Sequence, residues 1–168
     1  GIAGLTLGGG IGWLRRKYGL SSDNLVSVDV VTADGRYLTA SETENPDLFW
    51  GIRGGGGNFG VVTSFEYRLY PVGPEVMFCF VLYPGDRAKE VLRFCEEYVA
   101  QAPDEVSPLG VLGRVPHAEI FPEEWHGKPY AAILAMYSGS VEEGEQVLKP
   151  LRDLGDPIAD LSEPMPYV

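Results

Sequence analysis

The hydrophobic pattern changes character part-way along the chain. In the first seventy or so residues the apolar runs are short and interrupted. Val26, Val28 and Val30 share one face against Ser27 and Asp29, which predicts a half-buried strand over Leu25 to Thr32. Asp34-Gly35 is a hairpin signal, and Tyr37 to Ala40 reads as the returning strand. Asn45-Pro46 predicts a short helix through Ile52, with Asn as cap and Pro at the first helical position. Val61, Thr63, Phe65, Tyr67 and Leu69 alternate with Val62, Ser64, Glu66 and Arg68, a second half-buried strand.

From Val76 the runs lengthen. Val76 to Tyr83 is a nearly continuous apolar strand. Asp86 can cap a helix whose apolar face is Ala88, Val91, Leu92, Cys95, Tyr98 and Val99. Leu109 to Val115 and Tyr130 to Tyr137 predict two more strands, and Ser140 with Glu143 a capping box for a helix through Leu151. Strand–helix–strand–strand–helix is most of a split βαβ unit, an antiparallel sheet with helices on one face. The closing strand falls at or beyond Ile158 to Val168, where Pro157, Pro164 and Pro166 make a poor strand.

Charge and glycine follow the same division. The formal charge is −11, but residues 1–72 hold six Lys/Arg and seven Asp/Glu, whereas residues 73–168 hold seven and seventeen. The acidic part repels nucleic acid and anionic membranes, so neither is an expected partner. Fourteen of the twenty-two glycines fall in residues 1–60. Two structural units meeting near Pro71-Val72-Gly73-Pro74 are expected. No apolar run approaches a membrane span, and Arg15, Arg16 and Lys17 follow the apolar start instead of preceding it as in a signal peptide. Cytoplasm is favoured over secretion. Cys79 and Cys95 lie in apolar runs and read as buried free thiols; with His117 and His126 they give no metal-ligand spacing.

Two glycine-rich stretches carry the candidate chemistry. Gly4-Leu5-Thr6-Leu7-Gly8-Gly9-Gly10-Ile11-Gly12 leads into a helical candidate, Trp13 to Tyr18, that stops at Gly19. Glycine backbone at a helix N-terminus makes a cradle for an anion; the alternative is a plain structural turn. A Rossmann fingerprint would need a third glycine after Gly10 and Gly12, where Arg15 stands, and a P-loop lysine is absent. The second stretch is Arg53-Gly54-Gly55-Gly56-Gly57-Asn58-Phe59-Gly60, which reads either as a tight helix-to-strand turn or as a loop that lets a ligand approach.

These stretches, together with Tyr18-Gly19-Leu20, Asp23-Asn24, Ala33-Asp34-Gly35 and Asp47-Leu48-Phe49-Trp50, closely resemble the FAD-linked oxidases of the berberine bridge enzyme-like type, with the vanillyl-alcohol-oxidase flavin domain. The resemblance implies an α+β chain. Residues 1–72 would be the C-terminal half of a PCMH-type FAD-binding domain. Residues 73–168 would be part of an antiparallel-sheet, ferredoxin-like substrate domain. It implies FAD as cofactor, a small-molecule substrate and hydride transfer from a hydroxyl- or amine-bearing carbon to flavin, with dioxygen as reoxidant. It places Gly4, Leu5, Thr6, Leu7, Gly8, Gly9, Gly10 and Gly12 along the flavin and its phosphates, and Asn24, Leu25 and Val26 toward the adenine side. The glycines at 54–57 would support this wall from behind. Relative to the family pattern, the histidine-bearing first flavin segment and the C-terminal segment with a catalytic tyrosine or acid are missing, so a fragment is expected and no catalytic base can be named. Leu5 stands where doubly attached members carry a histidine. The isolated chain is expected to hold flavin weakly or not at all and to self-associate through its exposed wall. The alternative is a non-catalytic acidic ligand-binding or interaction module that reuses the fold.

Overall fold

The computed structural model describes residues 1–167; Val168, at the end of the proline-rich tail, lies outside them. The chain divides into two compact units, Gly1–Pro71 and the remainder from Val72. Both mix helix with antiparallel sheet, an α+β fold.

The first unit holds α1 (Ile2–Leu7), α2 (Arg15–Tyr18), β1 (Leu25–Val31), β2 (Tyr37–Ser41), α3 (Pro46–Gly55) and β3 (Val61–Tyr67). The strands form one sheet in the order β2-β1-β3, antiparallel throughout. Its core is Leu25, Val28, Val30, Ala40, Phe49 and Ile52, with Leu7, Val62, Phe65 and Tyr67 packed against them. Full burial of each large aliphatic or phenyl side chain among them contributes about 1.5–3 kcal/mol.

Two register shifts alter the faces that simple alternation predicts. The β1–β3 ladder slips between Leu25 and Ser27 and again between Asp29 and Val30. Val26 is therefore turned out, 40% exposed, while its neighbour Leu25 enters the core. On β3 the slip leaves Thr63 over, so Val62 packs inward and Val61 is 68% exposed. A bulge of this kind moves every later side chain to the opposite face. The β1–β2 connection is a five-residue turn, because Val31 pairs with Tyr37. Asn45 precedes α3 in a left-handed conformation but does not cap it; its side-chain amide instead donates to the Thr39 carbonyl of β2 at 2.7 Å.

The second unit runs β4 (Glu75–Pro84), α4 (Ala88–Val99), β5 (Val106–Arg114), β6 (Pro129–Tyr137), α5 (Val141–Arg152), β7 (Ala159–Asp160) and β8 (Glu163–Pro166). The sheet order is β5-β6-β4-β7, with β8 also on β4, and every pair is antiparallel. Helices α4 and α5 cover one face. Val91, Cys95, Leu148 and Leu151 bury there against Met77, Cys79, Val81, Tyr83, Ile133 and Ala135. Pro150 withdraws an N–H from the last turn of α5. Two tyrosine hydroxyls donate to α5 carbonyls on either side of Pro150, Tyr98 to Val147 at 2.6 Å and Tyr83 to Leu151 at 3.0 Å.

Three local expectations are corrected. Asp86 lies in a one-turn 3-10 segment before α4 and caps nothing. Ser140 does accept from the Glu143 N–H at 3.3 Å, but the Glu143 carboxylate accepts from the Tyr137 hydroxyl instead of returning to Ser140. The tail does form a strand. Pro164 and Pro166 pair with Met77 and Glu75 at alternate positions, so both missing N–H groups lie on one side of an edge strand. At the gap between β7 and β8, the Ser162 hydroxyl accepts from the Phe80 N–H at 3.0 Å and keeps the ladder continuous.

Candidate functional site

The opening glycines do not sit as the sequence suggests. Gly4 lies inside a helix, and the glycines from Gly8 on close it and lead only into a single turn. Helix α1 ends at Gly8, and the N–H groups of Gly8 and Gly9 donate back to the carbonyls of Gly4 and Thr6. Helix α2 is a single turn. The anion cradle built on outward N–H groups of these two glycines is therefore withdrawn.

What remains is a division among the glycines. Gly9 and Gly10 have positive φ, 105° and 84°, which favours glycine. A Cβ on Gly10 would lie 2.5 Å from Cβ of Ser21. The carbonyls of Gly10 and Gly9 accept from the Ser21 and Ser22 N–H groups, locking the turn onto the segment before β1. Gly4 and Gly12 answer to no such demand: their φ values are ordinary and nothing lies within 4 Å of a Cβ added at either. Around them Ile2, Leu5 and Ile11 are 59%, 46% and 73% exposed. The result is an outward strip of bare backbone edged by apolar side chains.

The strip is held from behind. Thr6 is fully buried, and its hydroxyl shares a 2.6 Å hydrogen bond with the Tyr67 hydroxyl on β3. Leu7 packs on the core. Asn24 donates its side-chain amide to the carbonyls of Tyr18 and Leu20 at 2.7 and 2.9 Å, and its own carbonyl accepts from the Arg68 N–H. Leu25 is core. Of the three residues 24–26 only Val26 is exposed, at the β1 bulge, where no residue of β3 stands opposite it. Val26 lines a hollow of about 470 Å³ with Asn24, Ser27, Glu66 and Arg68.

The second glycine stretch is consumed by the fold. Gly54 and Gly56 have positive φ, 114° and 70°, and bend α3 into the turn before β3. The ring of Phe59 lies over Gly51 and Gly55, 2.8 and 2.5 Å from where their Cβ atoms would stand. A side chain at Gly60, φ 140°, would run into the Val31 carbonyl.

Among the described residues no catalytic group stands out. His126 Nε2 lies 3.1 Å from both the Ala118 and Phe121 carbonyls, which makes that nitrogen a donor and its role that of a loop tie. Tyr130 packs within the second unit and Tyr137 in its helix-side core. Both cysteines are free and buried. Burial pushes the Cys79 thiol up to about 11 and raises that of Cys95, so neither is a nucleophile. Among the described residues there is no His/Cys/Asp/Glu cluster suited to a metal, and no helix long and apolar enough to cross a membrane.

Comparison with known proteins adds an independent finding. Residues 1–41 match the model of the FAD binding domain. The FAD-linked oxidoreductase pgmH of Aspergillus terreus is 40% identical over 158 residues, covering 92% of this chain and 30% of that protein. Among solved structures, 6-hydroxy-D-nicotine oxidase from Arthrobacter nicotinovorans superposes with a TM-score of 0.78 at 31% identity, over 99% of this chain and 35% of that one. BBE-like 1 of Physcomitrella patens gives 0.80 at 25% identity, over 99% and 34%. The chain spans about a third of the length of the curated relatives it matches.

Proposed function

We propose that this chain, which belongs to the berberine bridge enzyme-like FAD-linked oxidoreductases, contributes one wall of an FAD site. Residues 1–72 act as part of the flavin domain and residues from 73 onward as part of the substrate domain. When bound, FAD supplies the acceptor for a hydride leaving a hydroxyl- or amine-bearing carbon of a small molecule, with dioxygen taking the electrons onward.

The residues divide the work. Gly4, Gly8 and Gly12 let the cofactor lie against backbone. Leu5, with Ile2 and Ile11, excludes water from it. Thr6 and Leu7 anchor the strip to the core, and Gly9 and Gly10 set its turn. Val26 offers its exposed bulge toward the adenine half, held there by Asn24 and Leu25.

The observation that carries this reading is Gly4. It sits inside a helix with open space around it. Glycine there is roughly 0.5–1 kcal/mol worse than alanine and gains the fold nothing. Close approach of a ligand gives it a use. The test is an FAD titration followed by quenching of flavin fluorescence. Gly4→Val and Gly12→Val should each weaken binding by at least about tenfold, the effect of losing close packing against one wall, with thermal stability unchanged. Equal affinity in both variants and the parent would sink the proposal. The same exposed strip predicts self-association of the isolated chain, and a mass independent of concentration in light scattering would contradict that.

A further inference from the structure

Helices α4 and α5 have an outer side as well as the side that covers the sheet. They run antiparallel there. The end of α4 lies beside Gln146 and Val147, and its beginning beside Leu154, just past the end of α5. Between the helices runs a groove of two hollows, about 500 and 550 Å³, which meet at Phe94 and Glu97. The floor of the first hollow is Phe94, Tyr98, Ala102, Val147 and Pro150. All but Pro150 are half-buried and pack on the helix-side core. The Tyr98 hydroxyl, by donating to the Val147 carbonyl, ties one helix to the other, so the groove needs no ordering before it is filled.

Two observations say what fits it. The first is charge. Residues 94–106 carry Glu96, Glu97, Asp104 and Glu105, residues 137–148 carry Glu142, Glu143 and Glu145, and neither segment holds a Lys or Arg. Seven of the seventeen acidic groups of residues 73–168 thus fall at one end of the helix pair. Among the described residues no Lys or Arg lines the first hollow. The second hollow is balanced, its carboxylates Asp86, Glu90 and Glu97 facing Arg87, Lys89 and Arg93. The second observation is Pro150. It lines the first hollow together with Gln146, and it brings no N–H to the Gln146 carbonyl one turn back. That end of the groove is therefore an apolar floor edged by acceptors.

We propose that the α4–α5 groove docks a basic amphipathic helix of another protein. Its apolar side chains, one turn apart, fill the hollows on either side of Phe94. Its lysines or arginines gather at the Gln146 end, where the carboxylates are unbalanced, and its other end is neutral. The twelve residues of α4 make a platform about 18 Å long, so about three turns of partner helix are held. Charge of this sign sets the choice of partner and the rate of encounter more than it sets affinity. The inference uses no residue of the first unit and stands whether or not FAD binds there.

The probe is a fluorescein-labelled helical peptide of about twelve residues, leucines on one face and lysines in its last turns, titrated against the full chain by anisotropy. The controls are the same peptide with glutamate for lysine, and spermine, a cation without an apolar face. The lysine peptide should bind at least about tenfold more tightly than the glutamate peptide. Its affinity should fall several-fold as ionic strength rises from about 0.01 to 0.15 M and the screening length shrinks from about 30 to 8 Å. Glu97→Lys and Phe94→Ala should each weaken it about tenfold, whereas the same charge change at Glu75, exposed on β4, should not. Glu97 is exposed, so its replacement leaves the fold intact and tests the groove even if Phe94→Ala loosens the helices. Spermine should not displace the peptide. No binding, equal binding of the two peptides, displacement by spermine, or equal losses in Glu97→Lys and Glu75→Lys would each overturn the proposal. Self-association that Glu97→Lys abolishes would also overturn it, by giving the groove to a second copy of this chain.

Discussion

The two glycine-rich stretches of the first unit look alike in composition and differ in what they are for. Between Gly51 and Gly60 almost every glycine is required by something within the chain: a positive φ at Gly54, Gly56 and Gly60, the Phe59 ring at Gly51 and Gly55. Only Gly57 is without such a demand. Between Gly4 and Gly12 the demand is met at Gly9 and Gly10 and absent at Gly4 and Gly12. A glycine that the fold needs is no evidence for a ligand. A glycine that the fold would do better without is.

The comparison breaks most easily at its structural end. Gly60→Val and Gly10→Val combine an unfavourable φ with a side chain driven into the Val31 carbonyl or into Ser21. Each should cost about 3 kcal/mol or more. Urea unfolding followed by circular dichroism reads the loss, with an unchanged slope showing that stability alone has moved. Retained stability in Gly10→Val would mean that the opening turn is not built on its contact with Ser21.

A smaller effect separates packing from backbone conformation. Gly55 has an ordinary φ but lies under Phe59, which is 38% exposed and so has room to shift. Gly55→Ala should cost about 1–2 kcal/mol. Gly144 on α5 gives a harder case in the second unit, because its Cβ would meet Met77 Cβ at 2.5 Å, an atom fixed to the sheet. Gly144→Ala should cost more than Gly55→Ala, about 2–3 kcal/mol, despite alanine's better helix propensity. The reverse order in thermal melts would show that α5 moves off the sheet more freely than Phe59 moves off α3.

Much of the fold is legible in the sequence, and the failures share a cause. Alternation locates β1 and β3, and continuous apolar runs locate β4 and β6, because each strand's own side chains carry the signal. The bulges at Val26 and Thr63 are invisible to it, since an extra residue exists only relative to the partner strand. Helix α1 is missed because Gly4 and Gly8 argue against a helix by propensity, while the turn at Gly9 and Gly10 fixes its end. Asn45 has the right identity for a cap and spends its side chain on Thr39. β8 is missed because two prolines suggest no strand, although their i, i+2 spacing suits an edge. The candidate site follows the same rule. Which residues are glycine is plain from the sequence, but which glycines the fold requires depends on Ser21, Phe59 and Val31, some of them distant along the chain.

The smallest expected effects decide the comparison. Gly57→Ala enters open space in the turn before β3 and should change stability by no more than about 0.5 kcal/mol. Gly4→Ala enters open space inside a helix and should stabilise the protein by about 0.5–1 kcal/mol, through reduced backbone freedom in the unfolded chain and better helix propensity. Differential scanning calorimetry on the two variants and the parent resolves a shift of that size. A stabilising Gly4→Ala that also weakens FAD binding would show a residue kept for its ligand at the expense of the fold. A destabilising Gly4→Ala would place Gly4 among the glycines that the fold requires, and the distinction between the two stretches would then fail at the position where it matters most.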